Sequence, residues 1–167
     1  IRLSLVGSEM CIRDRKRSLP MSYQHILVPV DGSSTALAAV HQAAQLAKTY
    51  NSQVTILLVV TIDPFIGVEY VNAESQKEDA INRGRAMIQD ILEEAKQVFS
   101  SQGVEANTKI VEGQEIYKEI VNAATEVNAD LLVMGSHGRT GFKKLVLGSV
   151  AQKVLGEIYI PVLIVRS

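Results

Sequence analysis

The chain of 167 residues is 47% hydrophobic and 21% charged, with a formal net charge of −1 and one cysteine. That length gives one domain, able to bury roughly two-thirds of its extended surface and so to fold without disulfides or metal. The charge balance excludes a generally basic, nucleic-acid-coating protein. The lone cysteine excludes a disulfide framework or a cysteine zinc site, and no apolar run reaches the roughly 18 residues of a membrane span.

Residues Ile1 to Pro20 carry five basic and two acidic residues together with the cysteine, Cys11. No apolar core of secretory type is present, so the expected location is the cytoplasm. The stretch Ser4 to Arg15, SLVGSEMCIRDR, resembles a translated sequencing-adapter leader; the other reading is a native basic tail. Residues 1–20 are thus expected to be a disordered, non-native leader. The domain is expected to run from Met21 to Ser167, with 12 basic and 16 acidic residues and a net charge of −4.

From His25 to Val30 the chain is almost continuously apolar, as in a parallel strand buried on both faces. Leu37, Val40, Ala44 and Ala47 then repeat at helical spacing, opened by Ser33 or Ser34 as a cap. A second apolar run covers Val54 to Val60. Asp63-Pro64 and Gly67 break the pattern and predict a mobile connection from Asp63 to Gln76. Glu74 to Asp79 reads as the solvated start of a second helix, with Ile81, Gly84, Ile88, Ile91, Ala95 and Val98 as its apolar stripe. Val104, Ala106, Thr108 and Ile110 alternate with polar residues, which predicts an outer strand with one wet face. A third helical stripe is Ile116, Ile120, Ala123 and Val127. Leu131 to Met134 forms a fourth strand. A short helix carrying Val150 and Val154 begins near Gly148-Ser149, and Val162 to Val165 closes the series. This β-α alternation predicts an α/β fold, an open, mostly parallel sheet with helices on both faces.

In such a sheet a ligand lies beyond the carboxyl ends of the strands, so the loops there carry the chemistry. Asp31-Gly32-Ser33-Ser34 follows the first strand, and Gly135-Ser136-His137-Gly138-Arg139-Thr140-Gly141 follows the fourth. Glycine lets backbone N–H groups approach an anion, or supplies a positive φ at a position such as Gly138. The helix opening at Gly148-Ser149 adds free N–H donors and the positive end of a dipole. Leu131 to Gly156 holds no acidic residue, but it holds Arg139, Lys143, Lys144, Lys153 and His137. This reads as an anion site; the plainer reading is a flexible loop with solvated lysines. Asp31 fits either a ligand contact or a cap on the first helical turn. Ser149 fits an N-cap as well as a phosphate contact, and His137 fits a hydrogen-bonding spacer better than a base. The chain lacks G-x-G-x-x-G after the first strand and lacks G-K-[ST], which disfavours a dinucleotide-binding domain and excludes a P-loop NTPase. Glu112-Gly113 after the third strand, where a phospho-accepting aspartate would stand, excludes a response-regulator receiver.

Gly135-x-x-Gly138, nine residues, then Gly148-Ser149 resembles the ATP-binding signature of the universal stress protein family. His25-Ile-Leu-Val-Pro-Val-Asp-Gly-Ser33, Asp130-Leu-Leu-Val-Met-Gly-Ser-His-Gly-Arg139 and Pro161-Val-Leu-Ile-Val165 are also similar to that family. The resemblance implies a Rossmann-like sheet of five parallel strands in the order 3-2-1-4-5, frequent dimers, and the branch of the family that binds ATP. By position, Asp31 would take the ribose hydroxyls, and Pro29, Val30 and Val59 would line the adenine slot. Met134 would lie beside the nucleotide. Gly135, Gly138, Gly148, Ser149 and Val150 would hold the phosphates, Arg139 could reach one, and Mg2+ would arrive on them. Leu58 stands where many members have histidine. The function so implied is that of an ATP-binding, nucleotide-dependent regulatory or stress-response protein; the alternative is a slow ATPase or phosphotransferase of the same fold. The final strand, apolar and at the edge of the implied sheet, predicts a homodimer joined through it.

Overall fold

The computed structural model describes residues 23–61, 74–139 and 147–166. Five strands, β1 (His25–Val30), β2 (Gln53–Val60), β3 (Ala106–Glu112), β4 (Leu131–Gly135) and β5 (Val162–Val165), form one parallel sheet in the order β3-β2-β1-β4-β5. Among the described residues the helices that connect them are α1 (Ser34–Tyr50), α2 (Glu74–Ser101), α3 (Ile116–Glu126) and α4 (Ser149–Glu157). The expected leader lies outside the described residues. So does most of the connection expected to be mobile, although its last residues, 74–76, open α2 rather than belonging to a loop.

The central strand has the sequence expected of burial on both faces. Ile26, Leu27 and Val28 are fully enclosed, and successive side chains point to opposite sides. Ile26 and Val28 join α1 and α2 in one core layer, while Leu27 joins α3 and α4 in the other. Asp130 pins the start of β1 by accepting from the backbone N–H groups of Gln24 (2.7 Å) and His25 (3.0 Å). Helix α1 lies close to the sheet because its inner face is mostly alanine: Ala36, Ala39, Ala43, Ala44 and Ala47 are buried with Val40. Ser33 caps it, and Asn51 ends it in the left-handed conformation at φ 54°.

Helix α2 departs from the expected stripe. It has 28 residues, about 42 Å at 1.5 Å per residue, and among the described side chains its buried ones lie in the second half. Leu92, Ala95 and Phe99 are buried, with Ile88, Ile91 and Val98 against them. Ile81 is 45% exposed and Gly84 faces open space, so the first half of the stripe is not core. β3 is the outer strand expected, but Ile110 is 52% exposed rather than buried on a dry face. The α1–α2 layer takes in Val104 and Ala106 at the strand's start and does not extend to Ile110. Ile116, at the first position of α3, is likewise exposed, while Ile120 and Ala123 are core.

Replacing Phe99, which is wholly enclosed, with alanine is expected to lower stability by about 3–5 kcal/mol. Ile81→Ala is expected to change it by less than about 0.5 kcal/mol. Urea unfolding of both variants checks the pair; equal losses would show that the first half of α2 is core after all.

Candidate functional site

Asp31 leaves β1 and gathers three donors on one carboxylate. Oδ1 accepts from the Ser33 backbone N–H (3.0 Å) and the Ser33 hydroxyl (2.6 Å), and Oδ2 accepts from the Arg139 backbone N–H (3.1 Å). Ser33 Oγ in turn accepts from Ala36 N–H at 3.2 Å and so caps α1. The turn between them needs Gly32, which sits at φ +79° and whose Cβ would lie 2.9 Å from Ile91 Cδ1. The structure shows the cap reading of Asp31: it organises the first turn of α1, and it also accepts from the loop after β4.

That loop is tied down by backbone and hydroxyl bonds. Ser136 is buried, donates its N–H to Val165 O (2.7 Å) and accepts on its carbonyl from Gly148 N–H (2.8 Å). Its hydroxyl pairs with His137 Nδ1 at 3.1 Å. The Thr35 hydroxyl donates to the His137 carbonyl. His137 is thus held as the hydrogen-bonding spacer that the sequence favoured.

Each motif glycine admits a close backbone approach. A Cβ on Gly135 would lie 2.9 Å from the Thr35 carbonyl carbon, one on Gly138 2.7 Å from Asp31 Oδ2, and one on Gly148 3.1 Å from Ser136 O. Among the described residues the glycines at positive φ are Gly32 and Gly103. Gly138 is not among them; its lack of a side chain lets the loop touch the Asp31 carboxylate. Gly148 is the N-cap of α4 and has no side chain to bond the helix's first N–H groups, and no acidic residue stands in the first turn. Ser149 and Val150 open the helix beyond it.

Parallel strands bring Asp31, Gly135, Gly138, Arg139, Gly148, Ser149 and Val150 to one end of the sheet, at the carboxyl ends of β1 and β4. Pro29 and Val30 lie within β1, in register with Leu57 and Leu58. Val59 is half-buried and in register with Val111. Met134 is buried in the core layer under α3 and α4. Lys143 and Lys144 lie outside the described residues. A cleft of about 250 Å³ opens on the other side of the Asp31 turn, between α1 and α2, lined by Val30, Ser33, Leu37, Ile91, Glu94 and Ala95. None of Gly135, Gly138 and Gly148 lines it, so it is a separate feature from the glycine loop. Thr35 and Ser136 are the loop-holding residues that the sequence did not single out. Their partners are remote in sequence, and only the hydroxyl two places after the Ser33 cap hinted at Thr35.

A family model described as the universal stress protein family matches residues 22–166. The chain belongs to that family. Universal stress protein MJ0531 of Methanocaldococcus jannaschii is 35% identical over 145 residues, which cover 87% of this chain and 83% of the relative. A universal stress protein solved in complex with cAMP is 30% identical, covers 87% of this chain and 98% of its own, and superposes with a TM-score of 0.65. The universal stress protein from Archaeoglobus fulgidus in complex with dAMP is 25% identical over 87% of this chain and 99% of its own, with a TM-score of 0.59. The universal stress protein fold is thus shared along nearly the whole described length.

Asp31→Ala is expected to lower stability by about 1–3 kcal/mol, since three donors lose their acceptor, and to speed hydrogen exchange at the Arg139 amide. Urea unfolding and exchange-detected NMR check it; an unchanged Arg139 amide would mean that the two loops do not depend on this carboxylate.

Proposed function

We propose that this protein binds ATP and acts as a nucleotide-dependent regulatory protein. The observation that carries the reading is the uncapped start of α4 at Gly148, beside a loop whose Gly138 leaves no room for a side chain against Asp31. Free N–H groups at a helix start attract phosphate, and the acid-free Leu131–Gly156 stretch adds no opposing charge. Relatives of the same fold solved with cAMP and dAMP support an adenine nucleotide as the ligand class.

In this reading Gly135, Gly138, Gly148, Ser149 and Val150 offer backbone donors to the phosphates, and the exposed Arg139 side chain adds charge. Mg2+ arrives on the phosphates. Pro29, Val30 and Val59 border the base, with Met134 beneath the nucleotide. Asp31 receives the ribose. A carboxylate has about four lone-pair sites; three are occupied by protein donors, which leaves one for a ribose hydroxyl without opening the turn. Phosphoryl transfer needs a placed nucleophile and metal ligands beyond the phosphates, and the loop's lack of carboxylates favours a binding role over turnover. The protein also pairs with a second copy through β5. That strand is the sheet edge, and Leu163 on it is 37% exposed, while Ile164 packs toward α3 and α4.

Denaturing protein purified without added nucleotide and identifying the released ligand by mass spectrometry tests the ligand class. Calorimetry with Mg-ATP should show binding that Gly138→Val abolishes. No heat and no thermal stabilisation at millimolar nucleotide would refute the reading. Light scattering should show a dimer at tens of micromolar, which Leu163→Lys splits without unfolding the domain, because an unpaired charge at a buried contact costs several kcal/mol. A wild-type monomer under those conditions would refute the dimer.

A further inference from the structure

Tyr117, in the first turn of α3, and Lys153, in the second turn of α4, join these helices at the end of the sheet that carries the glycine loop. Lys153 Nζ lies 4.8 Å from the centroid of the Tyr117 ring. The Tyr117 hydroxyl donates to Glu115 Oε1 (3.2 Å), and Lys118 forms an ion pair with the same carboxylate. Lys118 is also 5.8 Å from the Tyr117 centroid. The Lys118 bond holds the Glu115 carboxyl below its usual range, while burial, aided by the Glu115 bond, pushes the Tyr117 phenol up. Glu115 is therefore committed to Lys118 and Tyr117. Glu157, one turn further along α4, adds a further carboxylate that acts on the ring at range. Among the described residues the ion pairs are Lys109–Glu126 and Lys118–Glu115; Lys153 lies over the π face and acts on the Glu115 carboxylate only at longer range.

Lys153 follows Ser149 by four residues, about 6 Å along the helix, on the same face. Long helical side chains lean toward the helix N-terminus. The ammonium is thus within a lysine's length of the uncapped start of α4. We infer that Lys153 reads the length of a bound nucleotide's phosphate chain, and that Tyr117 parks its ammonium when no phosphate is in reach. The inference rests on the nucleotide-binding reading above and adds to it a residue outside the glycine motif. An exposed cation–π contact is weak, whereas a lysine on a phosphate is a charge-assisted pair, so a phosphate within reach takes the lysine from the ring. Tyr117 acts here as a positioning residue and Lys153 as a ligand contact. The consequence is discrimination: a polyphosphate gains a contact that a monophosphate, held by the glycine loop alone, does not.

The test compares AMP and Mg-ATP by calorimetry on wild type, Lys153→Gln, Tyr117→Phe and Tyr117→Leu. NMR follows the Lys153 ε-methylene protons, which the ring shifts upfield. Lys153→Gln should weaken Mg-ATP about tenfold and leave AMP within about twofold. Tyr117→Leu should abolish the upfield shift and tighten Mg-ATP, and Tyr117→Phe, which keeps the ring, should retain both the shift and the wild-type affinity. Mg-ATP, but not AMP, should erase the shift in wild type. Equal loss for both nucleotides in Lys153→Gln, or a ring shift that Mg-ATP leaves in place, would overturn the role of Lys153 while leaving nucleotide binding standing. A wild type that binds neither nucleotide would overturn the binding reading and this inference together.

Discussion

The Asp31 carboxylate is the contact on which the loop end of the molecule depends. It is the end of one strand, the organiser of the next helix's cap, and the acceptor for a backbone N–H on a loop 108 residues further along the chain. Gly138 makes that last contact possible, since even a methyl group there would fall 2.7 Å from Asp31 Oδ2. Gly32 makes the first possible by taking a backbone conformation that other residues avoid. The sheet sets the two loops side by side, because β1 and β4 are neighbours across the point where strand order reverses.

Much of this was legible in the amino-acid pattern, for definite reasons. β1 and β5 begin and end where the apolar runs do; in β1 this follows because a strand enclosed on both faces leaves no polar position to blur its limits. The glycine spacing marked the loop and the helix start correctly. What the pattern misjudged depends on distances along the third dimension. The stripe on α2 is periodic from Ile81 onward, yet the sheet supports only the part from Ile88. Periodicity records that a helix could bury a face, not that a neighbour exists to bury it. Ile110 shows the same limit on an edge strand. The reasons for the glycines were less legible still. Gly135, Gly138 and Gly148 each meet protein atoms, from Thr35, Asp31 and Ser136 respectively, and those partners were not apparent from spacing.

Family membership and local chemistry answer different questions here. The match over residues 22–166 establishes the fold and the strand order on which the loops sit. It does not say why particular residues outside the motif stand where they do. Tyr117 and Lys153 belong to that second category. They join two helices that the shared fold requires, through a contact that the fold itself does not require.

One backbone bond links the loop end to the rim of the sheet. The Ser136 N–H is buried against Val165 O, in the last residue of the edge strand. Within one copy β5 is a four-residue edge strand paired with β4 alone, and such short edges open locally at low cost. Ser136 is outside that strand, yet its N–H loses its partner when the strand's end lifts away. Its amide is therefore a built-in gauge of fraying at β5, readable in a residue that also holds Gly148 through its carbonyl. Solvent access at the rim and order at the helix start thus meet at the two backbone groups of one residue.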